Sequence, residues 1–424
     1  MPPVDGTLPL EGITVVALEQ AVAAPFASRQ LADLGARVIK VERVDGGDFA
    51  RAYDSLISTD SLDSTDPLTS TDPLTSTGSH NSGGLGTHFA WLNRSKESVA
   101  LHLKREEGRT ILAELVATAD VFLQNLAPGA AARLGFGADE LRARHPRLIV
   151  IDMSGYGSRG PYRDKRAYDM LVQAEAGLIS VTGTPETPVK AGSPLADIAA
   201  GMYAFSGALA ALVRRGTTGQ GASVEVTMFD AVAEWMSQAM YATRYTGEVP
   251  PRSALGHPLI SPYDAYPTAY GEDVVIGVQN DRQWVALVTR VLNRAFLASD
   301  PEFATNQARV RNRAKVDTLI AEVTAGTTRD ELVRRLDDAG VPNASINDTH
   351  GLLAHPQLAE RDRWREVGSP AGTLPAILPP ITFADAEARM APIPELGEHT
   401  EVVLAELGYD AGTIDGLRSS GAVA

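Results

Sequence analysis

GITVVALEQAVAAPFASRQLADLGARVIKVER, residues 12–43, is the stretch whose reading decides the fold. Its first apolar run, residues 13–17, is short and β-branched, as expected of a buried strand. Pro25 suits the first turn of a helix, where its missing N–H would have no partner in any case. That helix should run to about Leu34 and stop at Gly35, and residues 38–41 should form the next strand. The same alternation returns downstream. Residues 99–103 read as a strand, 106–118 as a helix and 121–123 as a strand; helical segments then lead to Arg144, and 148–153 is another apolar strand. Residues 224–228 open a further strand followed by a helix over 229–240. Strands alternating with helices imply a parallel sheet covered on both faces.

At 424 residues the chain is too long for one compact core. The expectation is a Rossmann-like α/β domain over residues 1–220, a smaller α+β domain over 221–335, and a segment, 336–424, that returns to the first. In the smaller domain, 262–277 carries the Tyr, Pro and Gly punctuation of a strand pair, and 307–336 reads as largely helical. Residues 341–348 resemble a strand after a helix stop at Gly340. Residues 55–84 are of low complexity, with tandem STDSLD, STDPLT and STDPLT hexapeptides over 58–75. Pro67 and Pro73 oppose a central strand there, so an expanded surface loop is the reading.

Composition removes several chemistries. There is no cysteine, hence no disulfide framework, thiolate metal site or cysteine nucleophile. The formal charge of -15 argues against a nucleic-acid partner, which needs clustered Lys and Arg. No basic stretch followed by an apolar run opens the sequence. The apolar run over 198–213 falls short of the roughly 20 residues that span a bilayer. Its Ala and Gly content suits a buried helix in close packing, so a soluble, cytoplasmic protein with no membrane partner is expected.

No H-E-x-x-H, P-loop or dinucleotide fingerprint is present, and no metal is expected; TGTP at 182–185 lacks the spacing of a phosphate loop. His350 and His355 near Asp348 are read as surface-loop residues. Subtler candidates remain. Ala21, Val22 and Ala23 precede Pro25 with small side chains, so a ligand could approach the backbone at a helix start. Lys40 and Arg43 lie at the carboxyl end of the next strand, the edge where ligands of open α/β sheets sit. Lys96, Asn125, Leu126 and Arg133 occupy similar loop positions, and basic groups converging there would make a phosphate pocket on an acidic protein. Asp169 begins an apolar helical stretch and, from spacing alone, could be only a helix cap.

The blocks GITVVALEQAVAAPFASRQLADLGARVIKVER, GGDFAR, LNRSKESVAL, VFLQNLAPGAAARLG, SGYGSRGPY, AYDMLVQAEAG and ADIAAGMYAFSGALAALVRR run in order along the chain. They continue through TGQGASVEVTMFDAV, SPYDAYPTAYG and LGEHTEVVLAELGY. Together they resemble family III CoA-transferases, a group that also contains acyl-CoA racemases. The resemblance implies two interlocked chains, each threaded through the other, with acyl-CoA and a carboxylic acid as substrates and no tightly bound cofactor. It makes Asp169 the nucleophilic carboxylate. It places CoA against Ala21, Val22, Ala23, Arg43, Lys96, Asn125, Leu126 and Arg133, with Asn93 and Met202 near the same ligand. The repeat-bearing stretch departs from the family pattern and reads as an insertion.

The chemistry suits a carboxylate relay. Attack on the donor thioester gives a mixed anhydride, the returning thiolate gives an aspartyl-CoA thioester, and the acceptor acid reverses the steps. A buried carboxylate needs a helix N-terminus or other donors to stay ionised. SALGHPLIS, residues 253–261, holds one glycine where formate- and oxalate-using members carry a glycine-rich loop, and Val22 stands where those members have Gln. A branched or dicarboxylic acid is the expected substrate class. Two alternatives stand beside transfer: a racemase using Asp169 as a base, disfavoured because Ala167 and Tyr168 replace the Gly-His that precedes this Asp in racemases, and a non-catalytic CoA-binding protein.

Overall fold

The computed structural model describes residues 6–57 and 84–424; the hexapeptide repeat at 58–75 lies outside the described residues. The chain divides into two compact units. One comprises residues 1–176, 192–236 and 362–424, the other 177–191 and 237–361.

The larger unit is built on a six-stranded parallel sheet: β1 (Thr14–Leu18), β2 (Arg37–Glu42), β3 (Lys96–Ala100), β4 (Val121–Gln124), β5 (Ile149–Ser154) and β6 (Ser223–Thr227). Their spatial order is β3-β2-β1-β4-β5-β6. This is the doubly wound order, in which direction reverses between β1 and β4 and a crevice opens beyond the carboxyl ends of those strands. Val16 pairs with Ile39 on one side and Phe122 on the other, and all three are buried, which is why the strands read as unbroken apolar runs.

Helix α1 (Ala23–Asp33) follows β1 and ends at Gly35, whose φ of +102° suits glycine and whose Hα faces Leu8 too closely for any Cβ. Helix α2 (Thr87–Asn93) precedes β3, and α3 (Glu106–Thr118) lays Ile111, Leu112, Leu115 and Val116 on the sheet beside Val41, Val99 and Phe122. The C-terminal stretch completes this core with Val403, Leu404 and Ile414, and His102 N–H donates to the Ala422 carbonyl. The hairpin Trp364–Ser369 and Gly372–Ile377 packs Val367 and Leu374 against Phe89 and Leu85.

Helix α4 (Asp169–Glu175), α5 (Leu195–Thr218) and α6 (Met228–Trp235) finish the unit. By length and composition α5 could cross a membrane. Its small residues Ala196, Ala199, Ala200, Gly201, Ala204 and Ala208 are instead buried within the unit, as the Ala- and Gly-rich run suggested. At Gly201 a Cβ would stand 2.7 Å from the Ala23 carbonyl oxygen and 2.9 Å from the Phe26 ring. In an open helix Gly→Ala stabilises by about 1 kcal/mol. Here Gly201→Ala is expected to destabilise, read as a lower denaturant midpoint, because the helices must separate to admit the methyl group.

The second unit holds an antiparallel sheet of β7 (Tyr263–Pro267), β8 (Asp273–Gly277) and β9 (Asn343–Ser345). Its core gathers Trp284, Leu287, Val288, Val316, Ile320, Leu332 and Leu336. Because β6 hydrogen-bonds to β5, residues 223–227 belong to the large sheet, and the main body of the second unit begins only after Met236.

Candidate active site

A cleft of about 410 Å³ opens in the larger unit at the carboxyl ends of β1, β4 and β5, at the switch point of the sheet. Its walls are the loop Gln20–Ala23 after β1, Phe49 and Tyr53, residues 125–128 after β4, residues 153–155 at the end of β5, residues 165–169, Asp197 and Met228.

The loop after β1 is held in an uncommon conformation. Ala21 has φ +65°, a left-handed backbone that costs a residue with a Cβ of order 1–2 kcal/mol. Gln20 N–H donates to Asn125 Oδ1 at 3.0 Å, and Asn125 Nδ2 returns a bond to the Gln20 carbonyl at 2.9 Å. Ala21 N–H donates to Asp48 Oδ1 at 3.0 Å. Asn125 thus stands in the cleft wall and also splints the loop beside it.

Two carboxylates face the cleft. Asp169 is half-buried at the first turn of α4, and both of its oxygens are engaged. Oδ1 accepts from Ala196 N–H at 2.8 Å and from Asp197 N–H at 3.3 Å, and Oδ2 accepts from Gln173 Nε2 at 2.6 Å. Asp169 therefore sits at the amino end of the 24-residue α5, where free N–H groups and the helix dipole favour negative charge. These are the donors that a buried, ionised carboxylate requires. Asp197, in the first turn of α5, is also half-buried, and among the described residues nothing hydrogen-bonds or ion-pairs its side chain. Burial first, and then the neighbouring Asp169 charge, push its carboxyl up to about 7.

Of the residues expected to touch CoA, Ala21, Val22, Ala23, Asn125 and Leu126 line the cleft with Asp169. Arg133 is exposed just behind it, its guanidinium donating to the carbonyl of Pro128, a wall residue, at 3.4 Å. Arg43 is exposed and turned onto the Gly47 carbonyl at 3.1 Å, and Met202, on α5, accepts from Gln30 at 3.2 Å; neither is a wall residue.

Lys96 and Asn93 correct the sequence reading most sharply. Both are buried: Lys96 Nζ donates to Glu19 at 2.7 Å, to Asn93 Oδ1 at 3.0 Å and to the Pro25 carbonyl at 3.1 Å. They belong to a sealed ion cluster in which Lys40 pairs with Asp48 at 2.8 Å and Glu19 at 3.3 Å, and Glu42 pairs with Arg51 at 2.8 Å. Burial pulls the Lys96 ammonium down to about 7 against the attraction of Glu19. Burial acts the same way on Lys40, but the charges of Asp48, Glu19 and Glu42 outweigh it and hold this ammonium above its ordinary range.

Sequence reasoning missed Asp197, Phe49, Tyr53, Lys165 and Arg166 as wall residues. The pair Lys165-Arg166, four and three positions before Asp169, was a legible signal of positive charge at the cleft. Lys165 is committed to Glu175 and lies 4.1 Å from the Tyr162 ring centroid, whereas Arg166 is exposed and, among the described residues, has no ion-pair partner.

A doubly wound sheet with a carboxylate pair at its switch-point crevice defines an α/β enzyme suited to covalent acyl chemistry. The comparisons make this specific: CoA-transferase family III matches residues 10–400, and the chain belongs to that family. It is 35% identical over 420 residues to an acyl-CoA transferase of Fusarium pseudograminearum, covering 98% of this chain and 88% of that protein. It is 34% identical over 402 residues to the succinate–glutarate CoA-transferase of Agrobacterium fabrum, covering 94% of this chain and 96% of that one. Among solved structures, a CAIB/BAIF family protein from Brucella suis superimposes with a TM-score of 0.79 at 32% identity, covering 95% of this chain and all of that one. The chain is accordingly an enzyme that moves CoA from an acyl-CoA thioester to a free carboxylic acid.

Proposed function

We propose that this CoA-transferase acts on dicarboxylic acids and that Asp169 makes the attack on the donor thioester, with Asp197 beside it in the same cleft. The observation that carries the assignment is the set of donors on Asp169. The backbone N–H groups of Ala196 and Asp197 and the Gln173 side chain hold its carboxylate in the cleft wall at the amino end of α5, as a partly buried carboxylate requires. Asp197 reaches the same cleft without such donors, and its raised proton affinity makes it the poorer nucleophile.

The Asp169 carboxylate adds to the thioester carbonyl, and collapse of the tetrahedral adduct expels CoA thiolate and leaves a mixed anhydride. The thiolate then adds to the aspartyl carbonyl, releasing the donor acid as its carboxylate and leaving an aspartyl-CoA thioester. The acceptor carboxylate adds to that thioester, thiolate leaves again, and its attack on the acceptor acyl carbon restores free Asp169. Arg166, Arg133 and the backbone of Ala21–Ala23 are the groups we assign to the phosphate and pantetheine portions of CoA. The name of the Agrobacterium relative supports succinyl-CoA and glutarate as the first substrates to test. We further propose a cytoplasmic homodimer of interlocked chains; the exposed Met240, Tyr241 and Tyr245 on one helix offer an apolar surface for it.

The sequence supplies a clean test. Trypsin cuts after Arg166, Lys190 and Arg214, so Asp169 and Asp197 fall in separate peptides, residues 167–190 and 191–214. Incubation with succinyl-CoA followed by hydroxylamine is expected to convert the acylated side chain to a hydroxamate in the 167–190 peptide. A mark confined to 191–214 would move the nucleophile to Asp197.

A further inference from the structure

Asp48 does not line the cleft and is almost fully buried, yet it reaches two of the cleft's walls. Its Oδ1 accepts from Ala21 N–H at 3.0 Å and from Ala50 N–H at 2.9 Å. Its Oδ2 accepts from Lys40 at 2.8 Å, and its own N–H donates to Glu42 Oε2 at 2.9 Å. One oxygen therefore ties the left-handed turn at Ala21 to the short 3-10 segment Phe49–Ala52, which presents Phe49 and leads to Tyr53. The other oxygen fastens this joint to the buried lysine cluster.

We propose that Asp48 is a positioning residue for acyl-CoA recognition: it holds Ala21 in its left-handed conformation and so fixes the spacing between the Gln20–Ala23 wall and the Phe49–Tyr53 wall. A backbone kept in a sparsely populated region persists only when its surroundings over-determine it. Here Asn125 fixes Gln20 from one side and Asp48 fixes Ala21 from the other. Without Asp48 the Ala21 backbone relaxes to negative φ, and the wall residues Val22 and Ala23 that follow it shift. Chemistry at Asp169, on a different element, is not addressed by this joint, so its loss falls on binding rather than on turnover.

This inference rests on the CoA-transferase reading, and the test separates the two. With succinyl-CoA and glutarate as substrates, Asp48→Ala is expected to raise the KM for succinyl-CoA by about ten-fold or more, with kcat changed by less than about three-fold. Asp48→Asn keeps an oxygen for the Ala21 and Ala50 N–H groups while losing the charge that pairs with Lys40. It should therefore lose stability but keep KM within about two-fold of the wild type. Adding Ala21→Gly to Asp48→Ala removes the steric cost of positive φ and should recover part of the KM without recovering stability, since glycine cannot replace the ion pair. KM values that simply follow stability through all three variants would overturn the proposal. Hydrogen exchange supplies a readout free of substrate: peptides spanning residues 18–26 should exchange faster in Asp48→Ala than in Asp48→Asn, and equal rates would also overturn it. If the wild type moves no CoA between these acids, the substrate assignment fails while the exchange comparison still decides the role of Asp48.

Discussion

Replacing Asp169 by Asn should lower kcat for CoA transfer by at least about 10³-fold, the scale expected when a covalent nucleophile is removed, while leaving acyl-CoA binding measurable. Asp197→Asn should stabilise the fold by an amount that depends on pH. The folded carboxyl is raised to about 7 from an ordinary 3.8, so between those values the folded chain holds a proton that the unfolded chain has released. Stability therefore falls as pH rises across that window. Asp197→Asn removes the dependence: it should unfold at higher denaturant than the wild type at pH 8, and the difference should vanish near pH 4. A carboxyl that costs the fold stability is one kept for function. An Asp197→Asn variant less stable than the wild type at pH 8 would mean that Asp197 is structural, and transfer that survives Asp169→Asn would pass the attack to Asp197.

The second large effect lies beneath the cleft. Glu19→Gln should destabilise the larger unit by about 3–5 kcal/mol, because it leaves Lys96, sealed from solvent, with no carboxylate partner. The cluster is balanced as it stands: Glu19, Asp48 and Glu42 face Lys40, Lys96 and Arg51. Although burial raises its carboxyl, Glu42 is held down at about 2 by Arg51 and Lys40, and Glu19 is likewise held below its ordinary value against burial by Lys96 and Lys40. Carboxyls depressed in this way contribute stability above their ordinary range near 4.5 that is lost as the pH falls towards 2. Glu19→Gln should therefore also flatten the acid limb of the stability profile. Pairing it with Lys96→Met, which removes the orphaned charge, should recover more than half of the loss in chemical denaturation. Additive losses in the double variant would show that the two groups are not coupled.

The large sheet was legible because its elements obey local rules. The helix over 106–118 matches residue for residue: its apolar side chains recur on one face and Ala119 leaves the helical region, so no distant contact was needed to place it. Strands β1, β2, β4 and β5 came within a residue or two as short apolar runs. The one-helix reading of 229–240 failed in a small way, as Met236 closes one helix and a second begins at Ser237. Sheet order and the switch point depend on pairing between distant strands, and periodicity does not carry that. The site was half legible. Small residues before Pro25 and the loop after β4 announced a backbone that lines the cleft. Lys96 misled because a lysine in a loop-like string looks solvated until Glu19, 77 positions away, is brought against it. Asp197 escaped notice because it opens an Ala- and Gly-rich run whose composition speaks only of packing.

The glycine contact between α5 and α1 has a bearing on how such an enzyme can change its diet. Helix α5 carries Asp197 at its start, α1 begins within the loop that forms the opposite wall, and the two touch backbone to backbone at Gly201 and Ala23. Residue 201 therefore acts as a shim: its bulk sets how far the start of α5, which holds Asp169, stands from the loop after β1, although it lines no part of the cleft. Accommodating a longer or more branched acid thus has a route that leaves every wall residue in place, through the thickness of one buried contact.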